Sequence, residues 1–401
     1  MGMTERQLFQ KHIAQTSDAP LGLEITKAEG IYMYDVHGNS YIDLISGIAV
    51  SNVGHRNPKV LEAIKQQLDQ YMHLMVYGEY IQSPQVQLAQ ALIQSTKSSK
   101  LNQVYFTNSG TEAVEGAMKL AKRFTGRRTF ISCKNAYHGA SQGALSLAGD
   151  ENFKNSFRPL LPDVRLIRHG NFDDLQYITK DVAAIFIEIV GGEAGVQQAS
   201  KKYFQALRKK CDETACLLII DEIQTGFGRT GTFWAYEAMG IFPDILLSAK
   251  GMGGGMPIGA FIASEEIMKT LSFQPVLGHI TTFGGHPVSC AASLATLKFI
   301  QENQLLDQIP EKSALFKSLL KHPLIIELRG IGFMFALEMK DFKTVKSVID
   351  LCIKRGLITD WFLFCDNALR IAPPLTISEE EIKKACSILL QAMNDIQNLN
   401  N

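Results

Sequence analysis

Three short stretches of this chain combine residue types that can do chemistry. The first is ILLSA-Lys250, followed by four glycines among the five residues 251–255. A lysine in a partly buried site holds its proton less tightly and becomes a nucleophile able to form a Schiff base. Glycines let a flat ligand lie close to the backbone. The second is LLII-Asp221-Glu222, where a carboxylate ends an apolar run. Such a group is costly to bury without a cationic partner. The third is Asn108-Ser109-Gly110-Thr111-Glu112, between a strand-like run and a helix-like one. The free amides and dipole of a helix N-terminus favour an anion there.

Each stretch has an ordinary alternative when taken alone. Lys250 could be a surface lysine before a flexible loop. Asp221 could cap a helix or join a salt bridge. Ser109 and Glu112 have the spacing of a capping box.

The elements that must position these residues are legible as an alternation. IYMYD (31–35), a His37-Gly38-Asn39 turn and YIDLI (41–45) read as a hairpin. Asn57 and Pro58 open a helix over NPKVLEAIKQQLDQ. From about residue 100, strand-like VYFTN (104–108) precedes a helix over 111–124, with Val114, Ala117, Met118, Ala121 and Phe124 on one face. TFISC, VRLIR, VAAIFIEIV, LLIID, DILLSAK and GAFIAS follow, with the helix KYFQALRKKCDET among them. Several of these runs are apolar at every position. That predicts a buried, mostly parallel sheet covered by helices, an α/β fold. The last ~110 residues mix helices with short strands and read as a smaller α+β unit.

Composition narrows the function classes. The chain has 401 residues, 46% hydrophobic and 20% charged, with 40 Lys plus Arg against 40 Asp plus Glu. A formal charge of zero argues against a nucleic-acid or anionic-membrane surface. No apolar run approaches the ~20 residues of a membrane span. The start, MGMTERQLFQKH, is polar and is not read as a secretory signal. Seven cysteines, without CxxC or zinc spacing, predict free thiols, no metal site and a cytoplasmic protein. No GxGxxG follows the first strand, so a dinucleotide oxidoreductase is not expected.

An anion cradle, a buried acid and an imine-forming lysine, each at a strand end, are together what pyridoxal phosphate requires. Here the chain resembles the class III, omega-amino-acid type aminotransferases, which are fold-type I pyridoxal-phosphate enzymes. The resemblance spans about residues 20–385 and rests on GIAVSNVGHRNP (47–58), FTNSGTEAVEGAMKLA (106–121), YHG (137–139), IIDEIQTGFGRTG (219–231), SAKGMGGGMPIGA (248–260), TTFGGHP (281–287) and LRIAPPL (369–375). It implies a large cofactor-binding domain over 52–285 and a small domain built from 1–51 and 286–401. It implies a phosphate cradle of Ser109, Gly110 and Thr111. Tyr137 would stack on the pyridine ring with His138 beside it. Asp221 would pair with the ring nitrogen, Gln224 would reach the ring hydroxyl, and Glu188 would lie on that side. Lys250 would hold the cofactor as an aldimine. Thr282 would reach the phosphate bound by a second subunit of a homodimer. Arg370 would bind a substrate carboxylate, and Glu193 would mask Arg370 when an omega-amino group enters.

The implied reaction is ping-pong transfer of an amino group from an amino acid, acetylornithine- or 4-aminobutyrate-like, to a 2-oxo acid. A decarboxylase, racemase or aminomutase on the same scaffold, and a non-catalytic binding protein, are the alternatives. The chain departs from the family pattern at three places. Ala140 stands where many members carry an arginine for a distal carboxylate. Ile48 stands where ornithine aminotransferases have a tyrosine. Glu188-Ile189-Val190-Gly191-Gly192-Glu193 keeps both acids of a Glu-Pro-Val-Gln-Gly-Glu stretch but loses the proline and glutamine. Cofactor chemistry is expected intact, with substrate selection shifted.

Overall fold

The computed structural model describes residues 2–400. Its centre is a seven-stranded sheet in the order 103–107, 259–263, 245–248, 217–221, 182–188, 129–133, 164–167. Gly259–Ala263 runs antiparallel to both of its neighbours. The inner strands pair in parallel, as their all-apolar runs predict. All seven residues of Val182–Glu188 and all five of Leu217–Asp221 are buried.

Helices cover both faces. Gly110–Thr125 turns Ala113, Val114, Ala117, Met118 and Ala121 inward. All of these but Ala113 share one apolar cluster with Phe130, Phe186, Ile219, Leu247 and Phe261. On the opposite face, Lys201–Thr214 buries Tyr203, Phe204, Leu207 and Cys211, in a cluster with Ile185, Ile187, Leu218 and Ile220. Fully burying one such large side chain stabilises by about 1.5–3 kcal/mol. Alternate residues of the central strands feed alternate clusters, so the sheet is fixed from both sides.

Two smaller sheets flank this core. Ile25–Glu29, Tyr32–Asp35 and Ser40–Asp43 form a meander, the last two strands being the expected hairpin. Leu357–Ile358, far along the chain, joins it in parallel beside Ile42 and Asp43. The second sheet runs 327–331, 334–338, 365–371, 360–362. Its register sets Arg370 opposite Ala336 on one side and Asp360 on the other. Helix Pro58–Gln70 starts as predicted, with the Asn57 side chain accepting from the amides of Lys59 and Val60.

One buried side chain ties these parts together. Arg229 is fully buried, and its guanidinium donates to Asn52 Oδ1 and to the carbonyls of Phe333 and Pro373. No carboxylate pairs with it among the described residues, and burial pushes it down to about 9. The seven cysteines are free thiols. No described helix is long and apolar enough to cross a membrane.

Candidate active site

The chemistry-bearing residues collect at the carboxyl ends of the central strands. A cavity of about 520 Å³ opens there, lined by Ser109, Gly110, Thr111, Tyr137, His138, Ala140, Glu188, Glu193, Asp221, Gln224 and Lys250. Ligands of open α/β sheets gather at such strand ends.

Lys250 follows Ile245–Ser248 and begins a single 3₁₀ turn, Lys250–Gly253. Its φ of 46° lies in the left-handed region, where a side-chain-bearing residue is strained. Burial pushes its ammonium below the ordinary range, with Glu193 opposing and Arg370 adding to the effect. The strand delivers the amine, and the cavity weakens its hold on a proton.

Asp221 ends Leu217–Asp221 in register with Glu188. Its Oδ2 accepts from His138 Nδ1 at 2.7 Å and its Oδ1 from the Ile223 amide at 2.9 Å. Each carboxylate oxygen has a second lone pair, so capacity remains for another N–H. Burial pushes the His138 ring down, but the hydrogen bond and charge of Asp221, joined by Glu188, carry it upward overall. His138 Nε2 is buried with no partner. Burial pushes the Glu188 carboxyl up to about 7, with His138 opposing. Glu188 Oε1 accepts from the Gly192 amide at 3.2 Å.

Ser109 is the N-cap of Gly110–Thr125, its hydroxyl accepting from the Glu112 amide at 3.3 Å. The Glu112 carboxylate accepts instead from the Asn108 amide, at 2.7 Å. The capping box is therefore half formed, and the first turn stays open to the cavity. Gly139 has φ 130°, and a Cβ there would stand 2.4 Å from Thr111 Oγ1. Only glycine lets the 137–139 loop lie on the cradle. The Thr111 hydroxyl meets Ser141 Oγ at 2.6 Å, and Ser141 donates to Glu115 at 2.6 Å.

Arg370 and Glu193 form a two-bond fork. Nη1 donates to Oε1 at 2.9 Å and Nη2 to Oε2 at 2.8 Å, with both side chains 5% exposed. The Leu363 amide and Gln224 Nε2 also donate to Glu193, at 3.1 and 3.3 Å. Burial alone would push the Glu193 carboxyl up, but Arg370 holds it below the ordinary range. This pair borders a second cavity, about 460 Å³, lined by Leu21, Ile45, Ile48, Tyr137, Trp361 and Leu363, with Lys250, Asp360 and Arg370. Ile48 faces it from a tight turn with φ 62°.

The expected residues thus come together with one exception. Thr282 is exposed and lies outside both cavities. Its neighbour Thr281 accepts from Asn108 Nδ2 at 3.2 Å, at the cradle's rim. Two further residues of these cavities were not among the sequence expectations. Ile223 lines the cavity beside Gly110, where a Cβ would come within 2.8 Å of Ile223 Cδ1. Its signal was its place two residues after Asp221. Asp360 Oδ1 stands 3.0 Å from Arg370 Nε, a pairing that only strand register reveals.

These residues fit pyridoxal phosphate. The cradle offers free amides and hydroxyls to a phosphate, Asp221 offers an acceptor to a ring nitrogen, and Lys250 offers an amine to an aldehyde. Comparison with known proteins agrees. Residues 13–393 match the aminotransferase class-III family. Acetylornithine aminotransferase of Methanopyrus kandleri is 38% identical, covering 98% of this chain and 99% of its own. That of Caldanaerobacter subterraneus subsp. tengcongensis is 37% identical, covering 93% and 95%. Among solved structures, a transaminase from the marine bacterium Virgibacillus superposes with TM-score 0.92 at 26% identity, over 99% of both chains. Ornithine aminotransferase of Toxoplasma gondii, with pyridoxal phosphate partly occupying its active site, gives 0.90 at 27% identity, over 97% of this chain and 93% of its own. Over residues 13–393, nearly its whole length, the chain belongs to the class-III aminotransferases.

Proposed function

We propose that this enzyme moves an amino group from an omega-amino acid of acetylornithine or 4-aminobutyrate type to a 2-oxo acid in two half-reactions. The carrying observation is that Lys250, Asp221–His138 and the Ser109–Thr111 turn line one cavity, with the Arg370–Glu193 fork at its edge. The cofactor is pyridoxal 5′-phosphate, which supplies an aldehyde for the amine and a ring that withdraws electrons from the reacting carbon.

The protein's own groups do the rest. Ser109, Gly110 and Thr111 hold the phosphate through the helix N-terminus and hydroxyls. Asp221, backed by His138, keeps a proton on the ring nitrogen. Tyr137 and Ile223 confine the ring, and Gln224 and Glu188 lie toward its hydroxyl. Lys250 Nζ would hold the cofactor's aldehyde and, once free, is the base placed to take the proton from the substrate carbon. Such proton transfer typically contributes ~10²–10⁴-fold. Glu193 covers Arg370 while an amine without a nearby carboxylate is bound, and releases the fork to an entering carboxylate.

Two further elements belong to this reading. The exposed segments around 68–86 and 273–283 carry Met72, Tyr80, Ile81, Val276, Leu277 and Phe283 at 53–96% exposure. An apolar surface of this density suits a second copy of the chain, which would bring its Thr282 to the neighbouring phosphate. Cytoplasmic residence rests on the seven unpaired cysteines.

The test is chemical. Borohydride treatment of holoenzyme should fix the cofactor to the peptide containing Lys250. The Lys250→Ala protein should lose amine turnover. Normal turnover by that variant would end the proposal.

A further inference from the structure

The charges around the two cavities decide which oxo acid fits. Only two of the lining side chains are Lys or Arg, namely Lys250 and Arg370. Four are acids: Glu188, Glu193, Asp221 and Asp360. Lys250 is committed to the cofactor, so Arg370 alone remains for substrate anions.

Arg370 has room for one carboxylate. Its Nη1 and Nη2 form the fork now filled by Glu193. Its Nε side faces Asp360 at 3.0 Å, its Cζ lies 4.5 Å from the Phe362 ring, and Nη2 also donates to the Trp361 carbonyl. A substrate can replace Glu193 on the fork but cannot share the rest. Elsewhere the walls combine apolar Leu21, Ile45, Ile48, Leu363, Met256 and Ala140 with uncharged polar Tyr137, Gln224 and Thr359. A second substrate carboxylate would be desolvated against these side chains with acids in excess and no cation, which is strongly unfavourable. The apolar segments around 68–86 and 273–283, assigned above to a second copy, contain no Lys or Arg.

We propose that the amino acceptor is a 2-oxo acid with one carboxylate and an uncharged side chain, which takes the place of Glu193 on the Arg370 fork. This rests on the aminotransferase reading and names its substrate class. The step balances without an outside oxidant. The oxo carbon is reduced to an amine-bearing carbon as the cofactor's aminomethyl carbon is oxidised to an aldehyde. The acceptor's carbonyl oxygen leaves as water, and water supplies the aldehyde oxygen.

The test loads the enzyme with pyridoxamine phosphate, so that no donor need be known. Return of the aldehyde absorbance is followed after adding pyruvate, 2-oxobutyrate, 2-oxoglutarate or oxaloacetate. Pyruvate or 2-oxobutyrate should exceed both dicarboxylates by about 100-fold in kcat/KM. Calorimetry on aldehyde-form holoenzyme should find butyrate binding at least about tenfold tighter than glutarate. Ala140→Arg, which adds a cation to the wall, should raise 2-oxoglutarate use at least about tenfold relative to pyruvate. Use of 2-oxoglutarate equal to or better than pyruvate by the unaltered enzyme would overturn the inference and leave the aminotransferase reading standing. Failure of every oxo acid to restore the aldehyde form would overturn both.

Discussion

Replacing Glu193 with glutamine tests the fork directly. In the resting site the Glu193 carboxylate occupies both terminal nitrogens of Arg370, and both side chains are nearly dry. An entering oxo acid must first displace it. Hydrogen bonds to charged groups contribute about 1.5–3 kcal/mol each, and a neutral bond about 1 kcal/mol. Glutamine keeps one acceptor for Arg370 and one for the Leu363 amide, but loses the charge. The competition an oxo acid meets should fall by about 2–4 kcal/mol, or roughly 30- to 1000-fold in affinity. In the pyridoxamine-loaded variant, the oxo-acid KM should therefore drop by at least about tenfold. Simple carboxylates such as butyrate should become strong competitive inhibitors. Amines lacking a carboxylate should react more slowly, because they now leave a buried guanidinium uncovered. A KM within about threefold of the parent, in a variant that still binds cofactor, would refute the idea that Glu193 competes with substrate.

Asp221→Asn removes the charge opposite the ring nitrogen while preserving size; turnover should fall at least about 100-fold, read in steady-state rates, with His138 titrating lower by NMR. Glu222 is buried, bonded to Thr225 and the Tyr236 amide, and pushed up to about 7 by burial. Between the ordinary 4.5 and about 7 the folded state keeps a proton that the unfolded chain releases, so stability falls as pH rises through that window. The loss is about 3 kcal/mol. Glu222→Gln should flatten the urea midpoint of cofactor-free protein between pH 5 and 7 relative to the parent. Arg229→Met strips three buried acceptors of their donor and should cost about 3 kcal/mol or more in denaturant unfolding. Ile81, 96% exposed, should when changed to aspartate shift sedimentation toward monomer and weaken phosphate retention.

Much of this architecture was legible because the relevant signals are local. Val182–Glu188 and Leu217–Asp221 are apolar at every position except their last, so burial, direction and the placing of an acid at the strand end came together. Asn57 and Ser109 cap helices as their spacing predicts. The Glu112 carboxylate accepts from the Asn108 amide rather than from that of Ser109, a choice set by backbone geometry that no pattern of residue types encodes. The turn at Ser46–Ala49 has no such local signal. It holds Ser46, Gly47, Ile48 and Ala49 at positive φ, and a β-branched residue there runs against local preference. Contacts from far along the chain hold it, including Ser46 Oγ donating to the Ala372 carbonyl at 2.7 Å. Asp360 was invisible for the same reason. Its meaning is its register opposite Arg370, ten residues away in sequence but fixed by the sheet.

The pairing of Ile42 with Leu357 also has a consequence for how the chain is made. At about 5–20 residues per second, the ribosome needs roughly 15–60 s to add the residues between them. The central sheet lies wholly within 103–263 and can assemble during that wait. The early meander and the Ser46 turn cannot complete their pairing until Leu357 and Ala372 emerge, and Arg229, already within reach of Asn52, waits for Phe333 and Pro373. The substrate fork, whose arginine is made late and whose glutamate is made early, is therefore completed only near the end of synthesis.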